Sequence, residues 1–289
     1  MADLTFFSKT PIGCPICETK FYREELRTGR GRLNAGELTR ELRRTYIPSQ
    51  KYGEVFPLLY PVTVCPGCYY AAYHADFLEL PEQNHEGVRA SEQTRIANAQ
   101  LLFADLDFTE PRGLPEGCAS YYLAAMSYEP FPKEFSPRFK QGLSCLRAAW
   151  LCTDLHRKRP NDNYDYLSRV FYRKARFFYS YAVELEQTGQ QTLSSTRNLG
   201  PDLDKNYGYD GVLYLTGWLE HKYGPTSDPE RRSVSLARAK RTVARIFGMG
   251  RASKDKPEAI LDNAREVYAE ITKELGEDNS DPEQANAEA

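Results

Sequence analysis

The sequence has no apolar run long enough to cross a bilayer, and among its 289 residues are only four histidines, three methionines and two tryptophans. The first lack excludes a membrane-spanning helix. The scarcity of histidine thins out the commonest general base and open-site metal ligand. The four histidines are scattered, and none falls in a nucleophile or open-metal motif, so no enzymatic activity is expected. Charge of one sign is missing as well. The 38 Lys and Arg stand against 40 Asp and Glu, and the net −2 gives no global steer toward nucleic acid or membrane. The first nine residues hold no basic segment followed by a long apolar run, so no signal peptide is expected.

Cysteine carries the clearest pattern. Seven cysteines, an odd number, fit a reducing cytoplasm better than a secreted disulfide scaffold. Four of them form two Cys-Pro-x-Cys turns, Cys14-Pro15-Ile16-Cys17 and Cys65-Pro66-Gly67-Cys68. Each turn sets two sulfurs around a metal, so the pair makes a tetrahedral four-thiolate cage. Four protein ligands leave no position for water, which points to one structural zinc ion rather than a catalytic one. The 47 residues between the turns exceed the usual ribbon spacing and imply an insertion. The alternative, two unrelated redox pairs, calls for a βαβ setting that is not visible. Cys118, Cys145 and Cys152 lie in apolar helical surroundings and are expected as small core residues.

The flanks of the turns suit a ribbon. Residues 20–22 and 58–64 are aromatic and β-branched and are expected as strands. Glu18 and Tyr69 stand where Gly often supplies a positive φ. Residues 18–51 hold nine bases against five acids, with Arg27, Arg30 and Arg32 on a Gly-punctuated tip and Arg43 and Arg44 closing a segment, 35–46, expected as a short helix. These five arginines carry the alternative functional reading, a nucleic-acid surface on the basic loop 20–51. After the second turn, 69–78 reads as a helix. His74 is expected in a packing or surface role, since four cysteines already complete the metal.

From 84 onward the sequence is helical. Helices are expected at 85–106, 119–128, 138–158, 164–187, 207–223, 233–247 and, opened by Pro257, to about 275. Short polar turns between long helices imply antiparallel pairs. Gly217, Tyr223-Gly224, Ala237, Ala244 and Pro257 match small-residue and turn positions of a tetratricopeptide repeat, although the 225–232 insertion stretches the period and Arg241 replaces a bulky residue. An ordinary helical bundle is the alternative. The expected fold is mainly α: a β zinc ribbon with a basic insertion at 1–80, connecting helices at 84–128, tetratricopeptide-like helix pairs at 137–275, and a disordered acidic tail at 276–289.

Two rows of arginine add a candidate surface. Arg169, Arg173 and Arg176 share one helical face, and Arg231, Arg238 and Arg245 another. If the rows converge, an acidic protein segment is the natural partner. The two cysteine turns with Phe21, the run Pro57-Leu58-Leu59-Tyr60, and Tyr70-Ala71-Ala72 with Asp76-Phe77 resemble the bacterial family called domain of unknown function 2225. That family usually continues Cys-Gly-Tyr-Ala, where this chain has Tyr69 for the Gly. The resemblance implies a zinc-ribbon-like N-terminus, tetratricopeptide-like helices and no established reaction. The expectation is a cytoplasmic, non-enzymatic adaptor that binds another protein.

Overall fold

The structure is a computed structural model and describes residues 4–193, 196, 198–247 and 258–277. Pro257 and the acidic tail beyond Glu277 therefore lie outside the described residues. Among the described residues, eight short strands come first, in four antiparallel pairs, and α-helices come after them. β1 (Thr5–Phe7) pairs with β4 (Glu24–Leu26), and between them β2 (Ile12–Gly13) pairs with β3 (Lys20–Phe21) around the first cysteine turn. β7 (Val62–Val64) pairs with β8 (Ala71–Tyr73) around the second.

The 69–78 segment is not a helix. Tyr69 has a positive φ of 55° and turns the chain back, so residues 71–73 complete a hairpin. The outer edge of β8 is closed by side chains: Ser127 Oγ accepts from Ala71 N at 3.2 Å and Tyr128 Oη from Tyr73 N at 3.1 Å. A helical reading of the Tyr-Ala-Ala-Tyr run had no way to foresee these distant acceptors. Residues 57–59 likewise form a single 3₁₀ turn before β7, so the expected strand begins only at Val62.

The 35–46 segment is also a hairpin rather than a helix. β5 (Ala35–Leu38) pairs with β6 (Arg44–Tyr46) across an irregular register. Gly36 permits it, because a Cβ there would stand 2.5 Å from Thr45 Oγ1. At the tip, Leu42 adopts φ 59° and is fully buried. A left-handed leucine costs roughly 1–2 kcal/mol, and the bonds that Arg40, Glu41 and Arg43 make to the helices hold the tip in place around it.

Seven of the eight described helices run in order: α1 (His85–Ala90), α2 (Glu92–Leu102), α3 (Leu114–Ser127), α4 (Pro137–Lys158), α5 (Tyr164–Gln187), α6 (Gly208–Tyr223) and α7 (Pro229–Ala244). The eighth is α8 (Glu258–Leu275). The single helix expected at 85–106 breaks at Ser91, whose hydroxyl donates to Val88 O at 3.1 Å. α3 starts five residues early because Glu116 accepts from Gly113 N at 2.9 Å at its start and Pro115 fits its first turn. Pro229 does the same for α7, with Asp228 accepting from Arg231 N at 3.1 Å.

α3 and α4 are buried on nearly all sides, which explains their small and apolar residues throughout. α3 lies between the β7–β8 hairpin and α4; α4 packs on α5, α5 on α6, α6 on α7, and α8 closes against α6 and α7. One buried cluster runs from Cys14 to Ile271, with Cys118, Cys145 and Cys152 inside it. Gly217 is a close-contact position, since a Cβ there would overlap the Val243 side chain of α7. Gly217→Ala is therefore expected to destabilise by about 1–3 kcal/mol, against its helix-propensity gain of about 1 kcal/mol. Urea unfolding measures this, and a stabilised variant would show that the α6–α7 contact is loose.

Candidate metal centre and basic groove

The two hairpins bring all four turn cysteines together. Sγ of Cys14 lies 3.7 Å from that of Cys68, Sγ of Cys17 lies 3.5 Å from that of Cys65, and all four fall within 4.8 Å of one another. Each sulfur of the first turn thus meets one of the second, so the halves form one site. The turns repeat each other in detail. Cys14 N donates to Thr19 O and Glu18 N to Cys14 O; Cys65 N donates to Tyr70 O and Tyr69 N to Cys65 O. Glu18 (φ 63°) and Tyr69 (φ 55°) keep the left-handed geometry that Gly often provides. Tyr69 offsets that strain by stacking edge-on against Phe108, 5.3 Å between centroids.

Such a cluster can hold a metal ion, and its electrostatics favour one. Four thiols this close cannot all ionise unaided. Hydrogen bonding from Cys14 and Cys68 pushes Cys65 down to about 2, while the bond to Cys65 and burial push Cys14 up to about 12, and bonds to Cys14 and Cys65 with burial push Cys68 higher. A central cation removes the conflict by stabilising every thiolate. Cys14, Cys65 and Cys68 are buried, whereas Cys17 lies at the surface.

Two arginines that the sequence patterns did not single out clamp the site. Arg95 is fully buried and donates to Cys68 O (2.7 Å), Tyr69 O (3.1 Å), Val88 O (2.9 Å) and Ser91 Oγ (2.8 Å). None of these acceptors is a carboxylate. Burial pulls its pKa down, and the Cys68 sulfur works against that. A guanidinium this deep calls for a nearby anion, which four thiolates around a divalent ion, net −2, would supply. Arg89 Nε donates to Ile16 O at 3.1 Å and so holds the first turn from the same side. The available signal was positional: Arg95 lies seven residues after Val88 and four before Ala99, within the apolar stripe.

A second feature lies between α5 and α7. It is a groove of about 1010 Å³ lined by six bases, Arg176, Arg231, Arg238, Lys240, Arg241 and Arg245, and three acids, Glu184, Glu220 and Glu230. Exposed Phe177, Tyr181 and Val234 line it as well. The structure thus brings Arg176, Arg238 and Arg245 to one surface. It leaves Arg169 and Arg173 outside, with Arg169 paired to Asp165 at 2.9 Å one turn back. Glu220 holds Arg176 at 2.8 and 2.9 Å, and Glu184 meets Arg238 at 3.1 Å.

A family model described as "Uncharacterized protein conserved in bacteria (DUF2225)" matches residues 7–271. The chain belongs to this family. An uncharacterized protein of Borreliella burgdorferi is 43% identical over 275 residues, which cover 95% of this chain and 99% of that one. No solved structure matches. No helix among the described residues is long and apolar enough to cross a membrane.

In this DUF2225 chain the 40–44 tip of the basic insertion turns inward. Arg43 pairs with buried Asp154 of α4 and donates to Trp150 O at 3.4 Å. Arg44 meets Asp204 at 2.8 Å, and its backbone N–H donates to Asp202 at 2.7 Å. Arg40 reaches Glu270 of α8 at 2.9 Å, and Glu41 accepts from Trp150 and from Tyr172 of α5 (2.6 Å). Of the other basic residues, Arg27 sits over Phe6 and Arg32 over Tyr52, at 4.7 and 5.2 Å from the ring centroids, and Arg30 is exposed.

His74 is no ligand of the cluster; its Nδ1 lies 2.6 Å from Thr63 Oγ1. Burial, then Arg23 and Arg112, pull its pKa from 6.5 to about 4. Its folded pKa is below the unfolded one, so the folded state prefers the neutral ring. Stability is full above pH 6.5 and falls as the unfolded chain takes up a proton between pH 6.5 and 4. At about 1.4 kcal/mol for each pH unit between the two values, the loss is at most about 3.5 kcal/mol. Unfolding free energy measured against pH is expected to show this fall in the native chain and a flatter profile in His74→Gln; equal slopes would contradict it.

Proposed function

We propose that this DUF2225 protein is a non-enzymatic adaptor, in which one structural zinc ion holds the N-terminal ribbon and a tetratricopeptide-like helix array docks an acidic segment of another protein. The metal part is supported by the sulfur geometry. Zinc–sulfur bonds near 2.3 Å set sulfurs about 3.8 Å apart at the corners of a tetrahedron, close to the 3.5 and 3.7 Å found across the two turns. A closed all-sulfur donor set suits a structural ion, with no position for substrate.

The groove between α5 and α7 is the observation that carries the docking reading. It joins excess positive charge to exposed Phe177, Tyr181 and Val234, and this combination matches a segment bearing both carboxylates and an apolar anchor. Arg43 is engaged with buried Asp154 and Arg44 with Asp204 of the loop after α5, which favours this groove over a nucleic-acid surface on the insertion. The test is binding of a fluorescent peptide of Asp and Glu residues around a central Phe. Affinity is expected to drop with salt and to fall at least about tenfold, near 1.4 kcal/mol, in Arg238→Glu/Arg245→Glu at unchanged Tm. Binding indifferent to that double reversal would overturn the groove assignment.

A further inference from the structure

We infer that the acidic end of this same chain, Glu277 to Ala289, is a resident occupant of the groove between α5 and α7, which an outside partner must displace. This rests on the groove being a docking surface. The chain leaves α8 at the groove itself. Tyr268 of α8 lines it, and Glu277, the last described residue, pairs with the groove-lining Lys240 at 2.5 Å. Less than one turn earlier, Glu274 pairs with Arg232 at 2.8 Å, so α8 and α7 already meet through acid on the first and base on the second.

The residues after Glu277 continue that chemistry. Residues 278–289 contain Asp278, Asp281, Glu283 and Glu288 and no Lys or Arg, so the segment complements a wall of six bases and three acids. Twelve residues reach about 40 Å when extended, at roughly 3.3 Å each. α7, at about 1.5 Å per residue, is some 24 Å long, so the segment can run its whole length. The segment also lacks any large apolar residue. It would satisfy the arginines and leave Phe177, Tyr181 and Val234 uncovered, so a partner offering carboxylates and an apolar side chain would outcompete it.

The test uses the full chain with the segment neutralised: Glu277→Gln, Asp278→Asn, Asp281→Asn, Glu283→Gln and Glu288→Gln. Two fluorescent probes are titrated, a peptide of residues 276–289 and the acidic peptide with a central Phe. A tethered competitor at an effective concentration of about 1 mM with its own Kd near 0.1 mM weakens an outside ligand about tenfold. The neutralised chain is therefore expected to bind both probes about tenfold more tightly than the native chain, and Arg241→Glu/Arg245→Glu is expected to abolish the gain. If both chains bind the Phe probe equally, and that binding still needs Arg238 and Arg245, the resident-tail inference is overturned while the docking groove stands. If neither chain binds either probe, both readings fall.

Discussion

If the four cysteines hold the zinc ion proposed above, replacing Cys65 by Ser is expected to release it and lower stability by several kcal/mol. Cys65 is fully buried, meets Cys17 at 3.5 Å, and anchors its turn through backbone bonds to Tyr69 and Tyr70. Metal binding to such cages supplies about 10–16 kcal/mol of apparent free energy in isolated small domains. Here the end of α3 also holds the β7–β8 hairpin, through Ser127 and Tyr128 on β8, so only part of that is at stake. At about 2–4 °C per kcal/mol for a chain of this class, the Tm is expected to fall by about 10 °C or more. Elemental analysis with thermal unfolding, before and after chelation, checks both effects. Cys118→Ser is the control: it also buries a hydroxyl in place of a thiol, but lies apart from the cage, so its metal content is expected to stay unchanged. Full metal content and an unaltered Tm in Cys65→Ser would remove the cage from the account of the fold.

The four-cysteine cluster was legible because its signal is local: two turns of fixed chemistry, each with its own hydrogen bonds. The long helices were legible for a similar reason, and α4 and α5 fall within one residue of expectation because Pro137 and the 159–163 turn punctuate them. What escaped depends on residues far away in sequence. Tyr70-Ala71-Ala72 has helical composition, and Ser127 and Tyr128 make it a strand. The Arg40-Glu41-Leu42-Arg43 tip has helical propensity, and Glu270, Trp150, Tyr172 and Asp154 make it a hairpin end. Arg95 was hidden as a charge on an apolar stripe, because its acceptors are backbone carbonyls without a sequence signature. The arginine rows were visible, but periodicity places residues on one helix only. Which of them share a groove depends on how α5 meets α7, and that brought in Arg176, Arg238 and Arg245 and left out Arg169 and Arg173.

Asp154→Ala is expected to cost about 3–5 kcal/mol, because it strands a charge rather than merely deleting a contact. The Asp154 side chain is 1% exposed and sits between Arg43 and Arg157. Arg157 is largely in solvent and can rehydrate when its partner goes. Arg43 is 19% exposed, lies 5.6 Å from the Trp150 ring centroid and is flanked by residues already committed to other helices, so it cannot follow. Arg43→Met with Asp154→Leu removes both charges together and is expected to recover most of the loss. Urea unfolding of the two single variants and the double separates the cases; a cost under about 1 kcal/mol for Asp154→Ala would mean that the pair is effectively solvated. The consequence extends past the pair. One residue from Leu42, Glu41 accepts from Tyr172 on α5, one turn before Arg176 of the groove. Four residues apart, Tyr172 and Arg176 share one face of α5, so the hairpin tip braces the helix one turn from the groove arginine. Loosening the tip at Asp154 is expected to weaken binding of the acidic Phe peptide even though no groove residue is altered, which ties the basic insertion to docking through support of α5 rather than through contact.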